Sequence, residues 1–325
     1  MGLAKTGYAY QRGLADLGRG SFAWLQPDGS WGWSNAGLIT DGEASLLVDT
    51  LFDLKLTRDM LAAMRDAAPR AASHIGTLVN THHNGDHCFG NELVGGAEIV
   101  ASARALEGMR HEPPALLAQF MKAAPGLGPT GEYLVHWFGA FDFEGITPTL
   151  PTTTFSGRLT RKVGDKTVEL IEVGPTHTGG DTLVHVPADR TVFTGDILFV
   201  EATPVMWAGP VANWIAACDH ILALDCETIV PGHGPVTDKR GVEAVRDYLT
   251  YIRDQARKRY DAGLSARDAP HDIALGDYDS WGDAERIAVN VATLYREFAG
   301  DATPPNPAEL FALMRKIWKK RRGSA

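Results

Sequence analysis

Leu78-Val79-Asn80-Thr81-His82-His83-Asn84-Gly85-Asp86-His87 is the stretch on which the fold turns. Its apolar start reads as the end of a buried strand, and from Thr81 onward ligand-type side chains crowd into a tight loop around Gly85. A loop at a strand end can aim several side chains at one point while the sheet behind keeps them rigid. His82, Asp86 and His87 are ligand types for zinc or another borderline divalent ion, with Cys88 as a softer alternative donor. Surfaces and satisfied cores also hold such clusters, so the reading depends on the rest of the chain.

Working outward, three more segments repeat the arrangement. Gly174-Pro175-Thr176-His177-Thr178-Gly179-Gly180-Asp181 sets a histidine in a Gly-rich turn after a strand. Phe193-Thr194-Gly195-Asp196 ends a strand on an acid, and Val230-Pro231-Gly232-His233-Gly234 ends another on a histidine. Four strand ends therefore each present a ligand-type residue.

The elements around them read as α/β. Strands are expected over Ser21–Leu25, Ala36–Thr40, Ser45–Val48, Ile75–Asn80 and Glu98–Ala101, with a helix over Leu56–Ala67. A second series follows over Lys166–Glu172, Thr182–Val186, Thr191–Thr194 and Thr228–Val230, with a helix near Val211–Leu222. Two such halves suggest two sheets packed face to face with helices outside. Between them, residues 104–155 are too long for a plain connector and carry Tyr133, Trp137, Phe138, Phe141 and Phe143. This is either a lid over a pocket or a surface insertion that buries its own aromatics. Residues 1–240 are expected to form the catalytic domain and 241–325 a helical extension packed on it, with helices over Val242–Ala262, Asp283–Phe298 and Pro307–Trp318.

A net charge of −9 argues against a whole-protein nucleic-acid binder. The basic stretch Arg315-Lys316-Ile317-Trp318-Lys319-Lys320-Arg321-Arg322 is the local exception, read as a solvated helix end whose cations offset the negative pole of the dipole. No apolar run reaches the roughly eighteen residues of a membrane span, and no secretory signal opens the chain. Cys88, Cys218 and Cys226 form no CxxC pair, which suits a reducing compartment. A cytoplasmic protein without membrane or nucleic-acid partners, able to form a homo-oligomer, is expected.

In order and spacing, the four ligand segments resemble the metallo-β-lactamase superfamily, whose signature runs THxHxDH, then a His, then Gly-Asp, then Gly-His. The match covers about residues 20 to 235, and Asn35-Ala36-Gly37-Leu38-Ile39 and Leu46-Leu47-Val48-Asp49-Thr50 add to it. The resemblance implies a four-layer αββα sandwich with the site at one edge. By position, it puts His82 and His177 in a first metal site, Asp86, His87 and His233 in a second, and Asp196 between them. Asn84 departs from the pattern, standing where the family has its second histidine. It ligates weakly through its oxygen, holds a bound water, or leaves the first site poorly filled; His83 is an alternative donor. Two zinc ions are implied, with manganese or iron as substitutes.

A divalent ion lowers the pKa of water from about 15.7 towards roughly 7, so hydroxide becomes available without a serine or cysteine nucleophile. Asp86 would orient that water. The expected reaction is hydrolysis of an activated acyl bond in a small molecule: thioester, ester, lactone or lactam. Trp31 and Trp33, the 104–155 aromatics with His136 and Trp137, and Met206-Trp207 suggest an apolar wall for a hydrophobic or aromatic substrate; core packing is their plain alternative. His82-x-Asn84-Gly85-Asp86-His87-x-x-Gly90-Asn91, with the helical extension, is similar to the thioesterase and cyclase branch associated with aromatic polyketides. Two further readings remain open. One is a persulfide-dioxygenase-like enzyme with one iron on His82, His177 and Asp196, and the other is a non-catalytic metal-binding relative.

Overall fold

Two sheets share one core, and most of their inner strands are buried on both faces. The structure, a computed structural model, describes residues 2–303 and 305–323; Met1, Pro304 and the last two residues of the expected extension lie outside the described residues. The first sheet carries seven strands in chain order: β1 (Gly13–Gly18), β2 (Ser21–Leu25), β3 (Ala36–Asp41), β4 (Ala44–Val48), β5 (Thr77–Val79), β6 (Glu98–Ser102) and β7 (Thr153–Phe155). Antiparallel pairing runs from β1 to β4 and parallel pairing from β4 to β7. The second sheet contains β8 (Arg158–Val163), β9 (Lys166–Glu172), β10 (Thr182–Val186), β11 (Thr191–Phe193) and β12 (Thr228–Val230), in the order β12-β11-β10-β9-β8.

Alternation along each strand decides which layer a side chain joins. Leu46, Val48 and Val79 point between the sheets, where they meet Val168, Leu170, Val184 and Phe193. Their neighbours Leu47 and Leu78 point outward and pack under helices. The helices are α1 (Leu54–Ala67), α2 (Gly85–Cys88), α3 (Ala103–His111), α4 (Pro114–Ala123), α5 (Gly128–Phe138), α6 (Val211–Ala223), α7 (Lys239–Asp261), α8 (Ala269–Asp272), α9 (Ile287–Ala299) and α10 (Pro307–Arg322). Helix α1 begins where the Asp53 carboxylate accepts from the Leu56 N–H at 2.7 Å. It buries Leu56, Met60, Leu61 and Met64 on one face, each contributing about 1.5–3 kcal/mol. The result is the expected αββα sandwich with a helical C-terminal region.

The structure corrects several boundaries. Strands β1, β7 and β8 were not expected. Arg158, Thr160 and Lys162 lie on the exposed face of β8, and Arg161, on the inner face with Leu159 and Val163, hides the period-2 pattern by interrupting its apolar positions. The stretch 104–155 is mostly helical, and its end is strand β7, which pairs with β6. Its aromatics Tyr133, Phe138, Phe141 and Phe143 are buried, whereas Leu116, Phe120, Leu127 and Val135 face outward. The loop 82–87 is a helical turn from Gly85 onward. Helix α9 starts at Ile287, after a short 3-10 turn over Ala284–Arg286, rather than at Asp283. All three cysteines are buried and unpaired. No helix among the described residues is long and apolar enough to cross a membrane.

Candidate metal centre

Each ligand segment leaves its strand at the same edge of the sandwich, so residues far apart in sequence meet. His82, His177 and Asp196 form one trio, and Asp86, His87 and His233 another, with the ligand atoms of each trio within 4.8 Å of one another. Asp196 joins the two. Its Oδ2 lies 3.7 Å from His82 Nε2, 3.3 Å from His177 Nε2 and 3.4 Å from His233 Nε2, and its Oδ1 lies 3.1 Å from His87 Nε2. The Asp86 Oδ2 is 3.3 Å from His233 Nε2. A Cβ on Gly232 would come within 2.0 Å of Asp196 Oδ1, so only glycine leaves room for this carboxylate.

The ring tautomers follow from the outer partners. His87 Nδ1 is 2.9 Å from Asp49 Oδ2, His177 Nδ1 is 2.6 Å from the Val205 carbonyl, and His233 Nδ1 is 3.0 Å from the Gly29 carbonyl. An acceptor at Nδ1 requires the proton there. Thr81 Oγ1 donates to Asp49 Oδ2 at 2.8 Å, which leaves its lone pair for His82 Nδ1 at 3.0 Å. In all four rings Nδ1 is engaged by an outer partner, which leaves Nε2 to face Asp196. His82 Nε2, His87 Nε2 and Asp196 Oδ1 are buried with no hydrogen-bond partner. Such atoms are costly unless a cation satisfies them. The donor set thus fits divalent metal.

Electrostatics agree. Burial depresses the His82 imidazole well below its ordinary value. At His233 burial is outweighed by Asp196 and Asp86, which push it up to about 9. His87 is raised in the same way by Asp196, Asp86 and Asp49 against its burial. The Asp196 carboxyl, despite burial, is held well below the usual range by His233, His87 and His82. Without metal, protons on the histidines balance the acids; metal takes their place.

Asn84 sits at the His177 side, its carboxamide oxygen 2.8 Å from His177 Nε2. His83 does not. It points at α3, with Nε2 3.7 Å from the Glu112 carboxylate and its ring filling the space a Cβ on Gly108 would need. The aromatic candidates divide. Trp31 is buried and meets Trp207, Phe138 and Phe311 at ring distances of 6.1–6.3 Å. Trp207 lies beside the site, since its N–H donates to the His177 carbonyl at 3.1 Å. His136 and Trp137 pack together at 4.7 Å, with His136 also against Trp318 at 4.8 Å.

Three outer residues carry weight that the sequence reading did not assign. Asp49, at the end of β4 with φ +62°, accepts from both donors of Thr81 and faces His87. Its place at a strand end was the available signal. Phe199 stacks on the His233 ring at 5.0 Å. Asp181 braces the turn around His177 by accepting from Thr178 N–H and Thr178 Oγ1.

The family model of the metallo-beta-lactamase superfamily matches residues 29–233, well over half of the sequence, and the chain belongs to that superfamily. Among curated relatives, the 2,4-dinitroanisole O-demethylase subunit alpha of Nocardioides sp. is 26% identical over 64% of this chain and 55% of its own length. A linear primary-alkylsulfatase of Pseudomonas sp. is 23% identical over 73% of this chain and 49% of its own. The chain thus spans about half the length of these relatives. A sec-alkylsulfatase structure from Pseudomonas sp. aligns with 92% of this chain and 52% of its own at a TM-score of 0.67 and 17% identity. A metallo-beta-lactamase from Pontibacter korlensis aligns with 74% of this chain and 99% of its own at a TM-score of 0.53 and 17% identity. These structures are alike in fold.

Proposed function

We propose that this chain is a two-metal hydrolase that cleaves an activated acyl bond in a small hydrophobic or aromatic substrate. The observation that carries the reading is the pair of buried trios joined by Asp196, with His82 Nε2, His87 Nε2 and Asp196 Oδ1 left without a hydrogen-bond partner at the point where they meet. Ions held there, zinc first and manganese or iron as substitutes, would supply hydroxide at neutral pH and polarise the scissile carbonyl. His82, His177 and Asp196 would hold one ion, with Asn84 as a weaker fourth donor, and Asp86, His87 and His233 the other. Asp86 is the only one of these carboxylates with a side chain noticeably open to solvent, at 12% against 4% for Asp196. His87 and His233 keep it ionised against its burial, so it can orient a water and accept its proton. Trp31, Trp207 and Phe199 would offer the substrate an apolar wall on the His177 and His233 side.

A second reading is favoured by the names of the relatives. The demethylase and the alkylsulfatase act on a methyl ether and on sulfate esters, so this chain would cleave an aryl ether or a sulfate ester with the same water. A single-iron dioxygenase is disfavoured by the retained Asp86, His87 and His233, and a non-catalytic metal-binding relative has Asn84 as its only support. The test is metal analysis of protein purified without added metal, followed by thioester, lactone, β-lactam, aryl methyl ether and alkyl sulfate panels. About two zinc or manganese ions with turnover of an acyl substrate are expected. A single iron, or a full metal load with no acyl turnover, would refute the acyl reading.

A further inference from the structure

We infer that α9 of the C-terminal region is a working part of the metal centre, because its buried polar stripe sets the backbone carbonyl that orients His177. Arg286, Asn290, Thr293 and Glu297 fall at helical spacing on one side of α9 and its N-terminal turn. A polar row facing a core is costly unless every group finds a partner. Here all four meet one segment, residues 203–211. Arg286 Nη1 donates to the Thr203 carbonyl at 3.1 Å, Thr293 Oγ1 to the Met206 carbonyl at 2.7 Å, and Glu297 Oε1 accepts from Val211 N–H at 2.9 Å. Asn290 grips the segment on both sides of Val205. Its Nδ2 donates to the Pro204 carbonyl at 2.9 Å and its Oδ1 accepts from Met206 N–H at 2.8 Å.

Between those two bonds the Val205 carbonyl points at His177 Nδ1, 2.6 Å away. The segment then returns to the same turn. Trp207 N–H and Ala208 N–H both donate to the His177 carbonyl at 3.1 Å, and Gly209 N–H to the Thr176 carbonyl at 2.9 Å. His177 is thus held from its ring and from its backbone by a strap with no side-chain ligand of its own. The strap is anchored by a helix more than eighty residues downstream. His87 and His233 differ, since Asp49 and the Gly29 carbonyl orient them from the first half of the chain. Asn290 is therefore a positioning residue for His177, acting through Val205, and not a catalytic residue. Trp207 and Phe199 lie in or just before this strap, so the same clamp also fixes part of the substrate wall.

The inference rests on the two-ion reading above, and its test separates the two. Asn290→Leu keeps the volume and removes both flanking bonds; Thr293→Val removes the bond to Met206, and Thr293→Ser retains it. The His177 Nδ1–H resonance, followed by proton NMR in metal-free protein, should exchange slowly in the parent and in Thr293→Ser. It should exchange about tenfold faster, or vanish, in Asn290→Leu and Thr293→Val. Cobalt(II) titration read by visible absorption should show about 10–100-fold weaker binding at the His177 site in those two variants, with the Asp86–His87–His233 site unchanged. Parental exchange of that ring proton in a folded Asn290→Leu or Thr293→Val protein overturns the clamp. Should Asn290→Leu fail to fold, the Thr293 pair decides. A parent that binds fewer than two cobalt ions refutes the two-ion reading, and the ring proton still decides the clamp.

Discussion

The two halves of the metal centre are built from different parts of the chain. On the Asp86–His87–His233 side, orientation comes from the sandwich itself: Asp49 at the end of β4 holds His87, and the Gly29 carbonyl holds His233. On the His82–His177 side, a threonine hydroxyl holds one ring and a strap clamped by α9 holds the other, while Asn84 stands where the family has a histidine. The first half is anchored by the Asp49 carboxyl group and a backbone carbonyl. The second depends on neutral partners and on the packing of a remote helix, so under the two-ion proposal its affinity for metal would be the adjustable one.

The largest expected effect removes the distinction altogether. Asp196→Ala takes away the carboxylate that faces all four histidines and should abolish tight binding of both ions together with turnover, as measured by metal content after gel filtration. Retention of either ion would show that the halves are independent. A smaller effect sharpens the contrast. Asn84→His should raise occupancy of the His82–His177 site, read as metal per protein at limiting zinc, and leave the other site unaffected. If native turnover falls as occupancy rises, the asparagine is a tuned feature; unchanged occupancy would remove Asn84 from the site.

The smallest expected effect is on stability. In metal-free protein His233 is raised to about 9 by Asp196 and Asp86. Its contribution is fully present below the unfolded value of about 6.5 and is lost as pH rises through the folded value. Metal binding needs the neutral imidazole and strengthens over the same interval. Thermal unfolding of chelated protein should therefore fall by a few degrees between pH 6.5 and 9.5, whereas metal-loaded protein should hold or gain. Parallel curves would mean that protons and metal do not compete at His233.

Much of this was legible along the chain. The residues that meet in the two trios were readable as candidates because each lies on a short turn after an apolar strand, and a turn's contents are a local property of sequence. The strands flanking those turns were readable for the same reason, since β-branched runs buried on both faces leave a strong apolar signal. Strand β8 was not, because Arg161 interrupts its inner, apolar face, and the three helices of residues 104–155 were obscured by glycines and prolines at their ends. Of the aromatic wall candidates, Trp31 and Trp207 pack on each other, whereas His136 packs against Trp137 and Trp318 on another part of the aromatic cluster.

By itself the sequence determined the superfamily, the αββα class and the candidate ligand residues, because those depend on residue type and order. Tertiary structure alone decided which ring nitrogen faces Asp196, that His83 turns to α3 and Asn84 to His177, and that α9 reaches back to the site. Those outcomes depend on which donors and acceptors the packing brings within about 3 Å. Asn290 is hydrogen-bonded to Pro204 and Met206, the residues flanking Val205, and nothing in the sequence signals that link.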